Sequence, residues 1–124
     1  VFSSSWYQLP LGEALQAFDA HEQRFGVHGG DIETSLMLAI APHKVRMEEA
    51  QVFASSSEQR AKDFELLGNG QSAKLGWHMQ DYNPHGAAGN AAAATAAKGQ
   101  ALLDAVGVQL AKLLQELMRF EPLI

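Results

Sequence analysis

"HGGDIETSLMLAIAP", residues 28–42, places a histidine, two glycines and two acids directly in front of an apolar run. Ile32, Leu36, Met37, Leu38, Ala39 and Ile40 are too continuous for an exposed rod, so the stretch predicts a largely buried helix. It begins at Gly30 or Asp31 and ends at or near Pro42. His28, Asp31 and Glu33, three groups able to bind metal or move a proton, crowd its start. Buried polar groups must be paired or they cost stability, so the cluster is either a surface cap or a site.

The Gly29-Gly30 bend brings His28 and Glu33, five residues apart, toward one cleft, because glycine turns where a larger residue clashes. Unpaired helix amides favour anionic groups at this point. Hydrolysis at a metal-bound water suits the pair, with one group as ligand or anchor and the other shuttling protons. The structural alternative stands beside it: Asp and Glu are common in a first helical turn for electrostatic reasons alone. Thr34 and Ser35 read as capping or back-bonding hydroxyls, with no base at motif spacing to make either a nucleophile.

Upstream, residues 1–9 read as a buried strand stopped by Pro10. Such a strand needs neighbours, so an upstream segment is expected. Leu15, Phe18, Glu22 and Phe25 recur at helical spacing over Gly12–Phe25, with Gly26 closing that helix. Downstream, residues 44–53 include a short extended piece, and Ser55 with Glu58 forms a capping box for a short helix. Ala73, Leu75, Trp77 and Met79 alternate with Lys74, Gly76, His78 and Gln80, the period of a half-buried strand. A loop over residues 81–90 leads to a long helix capped by Asn90 and running to Phe120, with Leu102, Leu103, Val106, Leu110, Leu113, Leu114 and Leu117 on one face. Gly99 and Gly107 share a face of that helix and permit close backbone approach. Strands with covering helices give an α/β fold, read as a mostly parallel sheet in layers and incomplete within these residues.

The 124 residues fit one domain, and 47% apolar content supports a core. A net charge of −5 disfavours nucleic acid, which asks for a basic patch. There is no cysteine, hence no disulfide or thiolate site, which suits a cytoplasmic protein. No apolar run approaches the roughly 20 residues of a membrane span.

Among the other candidates, His21 reads as a surface residue and His43 as a cation at a helix end. His78 shares the polar face of the second strand, and His85, between Pro84 and Gly86, occupies a loop of the kind that lines a site. Trp6 and Trp77 read as core or cleft walls, since no basic groove accompanies them. Lys98, near the start of the last helix, reads first as solvent-exposed, with an acid or a substrate as the alternative partner.

"HGGDIETSLMLAIAP" resembles the His-Ala-Gly-x-x-Glu-Thr-Ser motif of the creatininase (creatinine amidohydrolase) family, and "GAAGNAAAATAAKGQALL", residues 86–103, is similar to that family's later loop and terminal helix. The blocks stand in the family order and spacing, and the resemblance covers most of residues 25–117. It implies a layered α/β fold, two divalent metal ions (Zn with Mn or Fe), and hydrolysis of cyclic or linear amides. His28 matches the histidine assigned proton transfer. Glu33 matches the acid that supports the metal site or the substrate, and so is both a catalytic and a metal candidate. Trp6, Trp77 and His85 are candidate substrate-binding residues.

Gly29 stands where alanine is usual, Asp31 adds an acid, and Asn90-Ala91 replaces Asp-Pro. The family's metal-binding blocks, a Glu-x-His with a following Asp and a Gly-His-Gly-Gly-Asn-type segment, are absent from residues 1–124. The chain therefore reads as the C-terminal part of such a domain, inactive by itself. The partners expected are the upstream half of the same protein, a small amide substrate and further copies in a homo-oligomer, with neither nucleic acid nor membrane. The competing reading is a noncatalytic α/β assembly or interaction domain.

Overall fold

The computed structural model describes residues 1–123. Its helices are α1 (Glu13–Gln16), α2 (Ala20–Phe25), α3 (Asp31–Ile40), α4 (Ser56–Asp63) and α5 (Ala96–Arg119), and its strands are β1 (Val52–Phe53) and β2 (Gly89–Asn90). The apolar run forms α3 as its pattern requires, with Gly30 as the N-cap and Pro42 opening a 3-10 turn just beyond its end. α3 lies against α5. Their approach is closest at Gly99, where an added Cβ would stand 1.9 Å from the Ser35 carbonyl oxygen, so only glycine admits this contact. Leu102 is buried with Phe18 and Leu11, and Ile32, Leu36 and Val106 pack around them. Full burial of each such Leu or Phe stabilises by about 1.5–3 kcal/mol.

A polar tie runs beside this small core. Lys98 Nζ lies 2.6 Å from Asp31 Oδ2, the Ser35 hydroxyl donates to Asp31 Oδ1 at 2.9 Å, and the Thr95 amide donates to Ser35 Oγ at 3.1 Å. Asp31 is therefore neither a cap nor a cleft acid: its buried carboxylate joins the starts of α3 and α5. Lys98, expected in solvent, is drawn down onto it, with its ammonium also 5.1 Å from the Phe18 ring.

The fold is mixed α/β, but the expected parallel sheet is corrected. Among the described residues the sheet is a two-stranded antiparallel pair, with Val52 opposite Asn90 and Phe53 opposite Gly89. Residues 1–9 hold no strand; they contain a 3-10 turn at Trp6–Gln8, and Phe2 packs edge-on against Phe120. The alternation over residues 73–79 likewise gives no strand, because residues 73–78 are all exposed and no sheet lies beneath them to select one face, while Met79 opens a 3-10 turn. The helix expected over Gly12–Phe25 is two short ones, since the Asp19 carboxylate accepts the His21 amide at 2.6 Å and starts α2 afresh.

The last helix begins later than Asn90. Thr95 caps α5 by accepting the Lys98 amide, and Asn90 pairs in β2 instead. Ser55 does cap α4, through the Ser57 amide, but Glu58 closes no box with it and turns to His21 and Lys62. α3 is less buried than expected, with Met37 and Ile40 exposed. So is the second half of α5, where Val108, Leu110, Leu114 and Met118 face outward. Accessible surface totals 8780 Å² for 13.4 kDa. A compact monomer of that mass exposes about 6,500 Å².

Candidate active site

The buried carboxylate of Glu22 organises the site. It sits on α2, is 5% exposed, and is reached by two backbone amides from opposite sides: Asp31 donates to Oε1 and Asn90 to Oε2, each at 2.7 Å. Both oxygens are thus satisfied without a cation, the amide dipoles taking its place. The space around them is closed to side chains. A Cβ on Gly30 would lie 2.1 Å from Glu22 Oε1, and one on Gly89 would lie 2.7 Å from it; the Gly30 and Gly89 backbones also meet back to back. Gly30 in the first block and Gly89 in the second are therefore two walls of one pocket.

That junction fixes His28. Its carbonyl accepts the Ala88 amide at 2.8 Å, and the Ala88 carbonyl accepts the amides of Val27 and His28. Gly29 follows with a φ of +65°, a left-handed turn that β-carbons disfavour, and its amide donates to Glu33 Oε2. The same Glu33 oxygen lies 3.2 Å from His28 Nδ1. A carboxylate there accepts from a protonated Nδ1, which leaves Nε2 as the nitrogen free to exchange a proton. Both side chains are about half exposed or more, 61% for His28 and 49% for Glu33, so the contact itself contributes little to stability.

Two clefts open on this pair. One, of about 410 Å³, runs over Trp6, Tyr7, Glu22, Gly26 and Val27; the other, of about 650 Å³, runs along α3 past Leu36, Met37 and Ile40. His28, Glu33 and Trp6 line both. The structure thus brings together three of the five residues singled out by sequence. Trp77 stands elsewhere, edge-on to Tyr82 at 5.0 Å, and His85 packs near Phe53. Neither lines these clefts. Sequence reading missed the role of Glu22, although one signal was present: an acid on the stripe of Leu15, Phe18 and Phe25, where burial demands a partner.

The family model described as creatininase, creatinine amidohydrolase, matches residues 2–114. The chain belongs to the creatininase family. Comparison with curated proteins gives no match. A crystal structure from Bacteroides fragilis, of a protein named as a creatinine amidohydrolase, superposes with a TM-score of 0.69 at 21% identity, over 98% of this chain and 44% of that one. At that identity the likeness is one of fold. The chain spans under half the length of that relative.

Members of the creatininase family are generally metal-dependent. Among the described residues, no three His, Asp or Glu side chains converge as a metal-binding group. His28 and Glu33 offer two donors that are already engaged with each other, and a catalytic zinc takes three protein ligands and an open position. The residues of this chain do not, by themselves, fit a metal centre. No helix among them is long and apolar enough to cross a membrane.

Proposed function

We propose that this chain is the C-terminal part of an amidohydrolase that cleaves the C–N bond of a cyclic or linear amide, with His28 as its proton carrier. The observation that carries the reading is the His28 Nδ1 to Glu33 Oε2 contact at the junction of two clefts, in a chain of this family. Glu33 holds the ring through Nδ1 and leaves Nε2 free. Nε2 takes a proton from water as oxygen bonds to the carbonyl carbon, then returns it to the nitrogen as the C–N bond breaks. Trp6 walls the substrate on both sides of this point.

The metal ions that the resemblance implies, Zn with Mn or Fe, find their ligands in an upstream half of the same protein. The surface of this chain supports such a partner: it exceeds that of a compact monomer by roughly 2,300 Å², the size of a large interface. Further copies in a homo-oligomer would cover more of it. Trp77 and His85 reach substrate in this scheme only through another chain or segment.

The test is His28→Ala in the complete enzyme, assayed on cyclic and linear amides. Turnover falls by about 10²–10⁴-fold while bound metal is retained. Equal loss of metal and fold would remove the proton-carrier role. The outward apolar face of α5 favours a second reading, a noncatalytic assembly domain. It predicts that His28→Ala leaves assembly intact and that the unaltered protein turns over none of these amides.

A further inference from the structure

The larger cleft runs away from His28 and Glu33 along α3, and its far end differs in chemistry from its near end. Its walls there are Met37, Ile40 and Val45, and two cations, Lys44 and Arg46, line it with them. Among the described residues neither cation makes an ion pair or a side-chain hydrogen bond, although Glu49 lines the same end. Lys98, Lys62 and Arg60 are held by Asp31, Glu58 and Ser56, whereas Arg24, Lys74 and Lys112 also make no ion pair among the described residues but line neither cleft, so Lys44 and Arg46 are set apart by their place in the cleft wall. Two unengaged cations against one carboxylate, at the end of an apolar trough that starts at the reacting pair, make a directional site.

We infer that this cleft selects an amide whose other end is a carboxylate, joined by an apolar spacer; the inference rests on the amidohydrolase reading above. The scissile amide lies at His28 and Glu33, the spacer along Leu36, Met37 and Ile40, and the carboxylate at Lys44 and Arg46. Glu33 and Ile40 stand seven positions apart on α3, so the spacer covers about 10 Å at 1.5 Å per residue. Charge selection at a partly exposed end is screened by salt, which gives the site a second signature. Cations placed after a helix C-terminus also complement its dipole with no ligand at all. A binding measurement separates the two roles.

The experiment titrates the 124-residue chain by NMR with suberamate, the half-amide of an eight-carbon diacid, and with suberamide, its neutral diamide. Suberamate shifts the amides of Leu36, Met37, Ile40 and Val45 and the Trp6 indole, with a Kd at least fivefold below that of suberamide at low salt. The preference shrinks in 0.5 M salt and vanishes in Lys44→Gln/Arg46→Gln, whose unfolding midpoint is unchanged. Equal affinity for the two probes, no binding of either, or a preference that survives the double substitution overturns the subsite. Binding is read without turnover, so failure of the hydrolysis assay above leaves this result standing, and the reverse also holds.

Discussion

Replacing Glu22 by glutamine changes one oxygen to an amide nitrogen and leaves the shape of the side chain intact, so its effect isolates the two-amide junction. In the native protein Oε1 and Oε2 accept Asp31 and Asn90 at 2.7 Å, from a side chain 5% exposed. Glutamine keeps one acceptor. Its NH₂ must then face the second backbone amide, donor against donor, in a pocket walled by Gly30 and Gly89. A hydrogen bond to a charged group contributes about 1.5–3 kcal/mol, and an orphaned buried donor costs about 1–3 kcal/mol. The two overlap in one contact, so the expected loss is roughly 2–4 kcal/mol, a large part of the stability of a small domain. Urea unfolding followed by circular dichroism measures it, with an unchanged m-value showing that the unfolded state is the same. Hydrogen exchange assigns it: the Asp31 and Asn90 amides lose protection before those of α5. A loss below about 1 kcal/mol, or an even loss of protection across the molecule, refutes the claim that this carboxylate ties α2, α3 and β2 together.

Gly99→Ala forces a Cβ against the Ser35 backbone and separates α3 from α5, costing about 1–3 kcal/mol or more, whereas Gly107→Ala meets open space in the same helix and stabilises by about 1 kcal/mol; thermal unfolding of the pair reads both signs. Lys98→Met leaves the Asp31 carboxylate, 4% exposed, without its cation and costs about 3–5 kcal/mol in urea, while Lys98→Met/Asp31→Asn recovers part of that loss. The His21 hydrogen bond, and after it Lys62, hold the Glu58 carboxyl below its ordinary value of 4.5. A depressed folded value means stability that is present above 4.5 and lost as the pH falls through the folded value, so Glu58→Gln and the unaltered protein converge in acid. Because the Glu58 side chain is partly exposed to solvent, their difference at neutral pH is small and fades with salt, which a pH series of melting midpoints at two ionic strengths checks.

What the sequence made legible follows from how local each signal is. The α3 pattern is read within ten residues, and the α4 cap lies two residues from the amide it binds, so helix content emerged from short-range rules, although the cap of the last helix was read at Asn90 and stands at Thr95. His28, Glu33 and Trp6 were singled out and do share clefts. Among the described residues the sheet is an antiparallel pair and no parallel sheet is shown. Period-two alternation over residues 73–79 states which side chains alternate, and only a neighbouring strand converts that into a face. The partners of Glu22 and Lys98 were beyond reach for a different reason: Glu22 to Asn90 spans 68 residues and Lys98 to Asp31 spans 67, and no local rule pairs a carboxylate with a backbone amide or a lysine at that distance. Composition signals each member; the fold supplies the pairing.

Glycine placement connects these long-range pairs to the candidate chemistry. Gly30 and Gly89 sit in different blocks of the chain, and neither touches His28 through a side chain. Each nevertheless leaves room for the Glu22 carboxylate, and the backbone it frees runs directly into the His28 to Ala88 bridge on one side and the Asn90 amide on the other. With a buried core of few residues, apolar packing holds α3 on α5 but does not reach the loop that carries His28. Backbone hydrogen bonds must therefore set its position. A substitution at Gly89 should accordingly act on His28 through Glu22: in Gly89→Ala the carboxylate is displaced, the Ala88 bridge loosens, and the His28 to Glu33 contact broadens. Nuclear Overhauser contacts between the His28 ring and the Glu33 side chain weaken in that variant while those between α3 and α5 persist. If both sets weaken together, the loop is held by the core after all, and the buried carboxylate is not what positions the histidine.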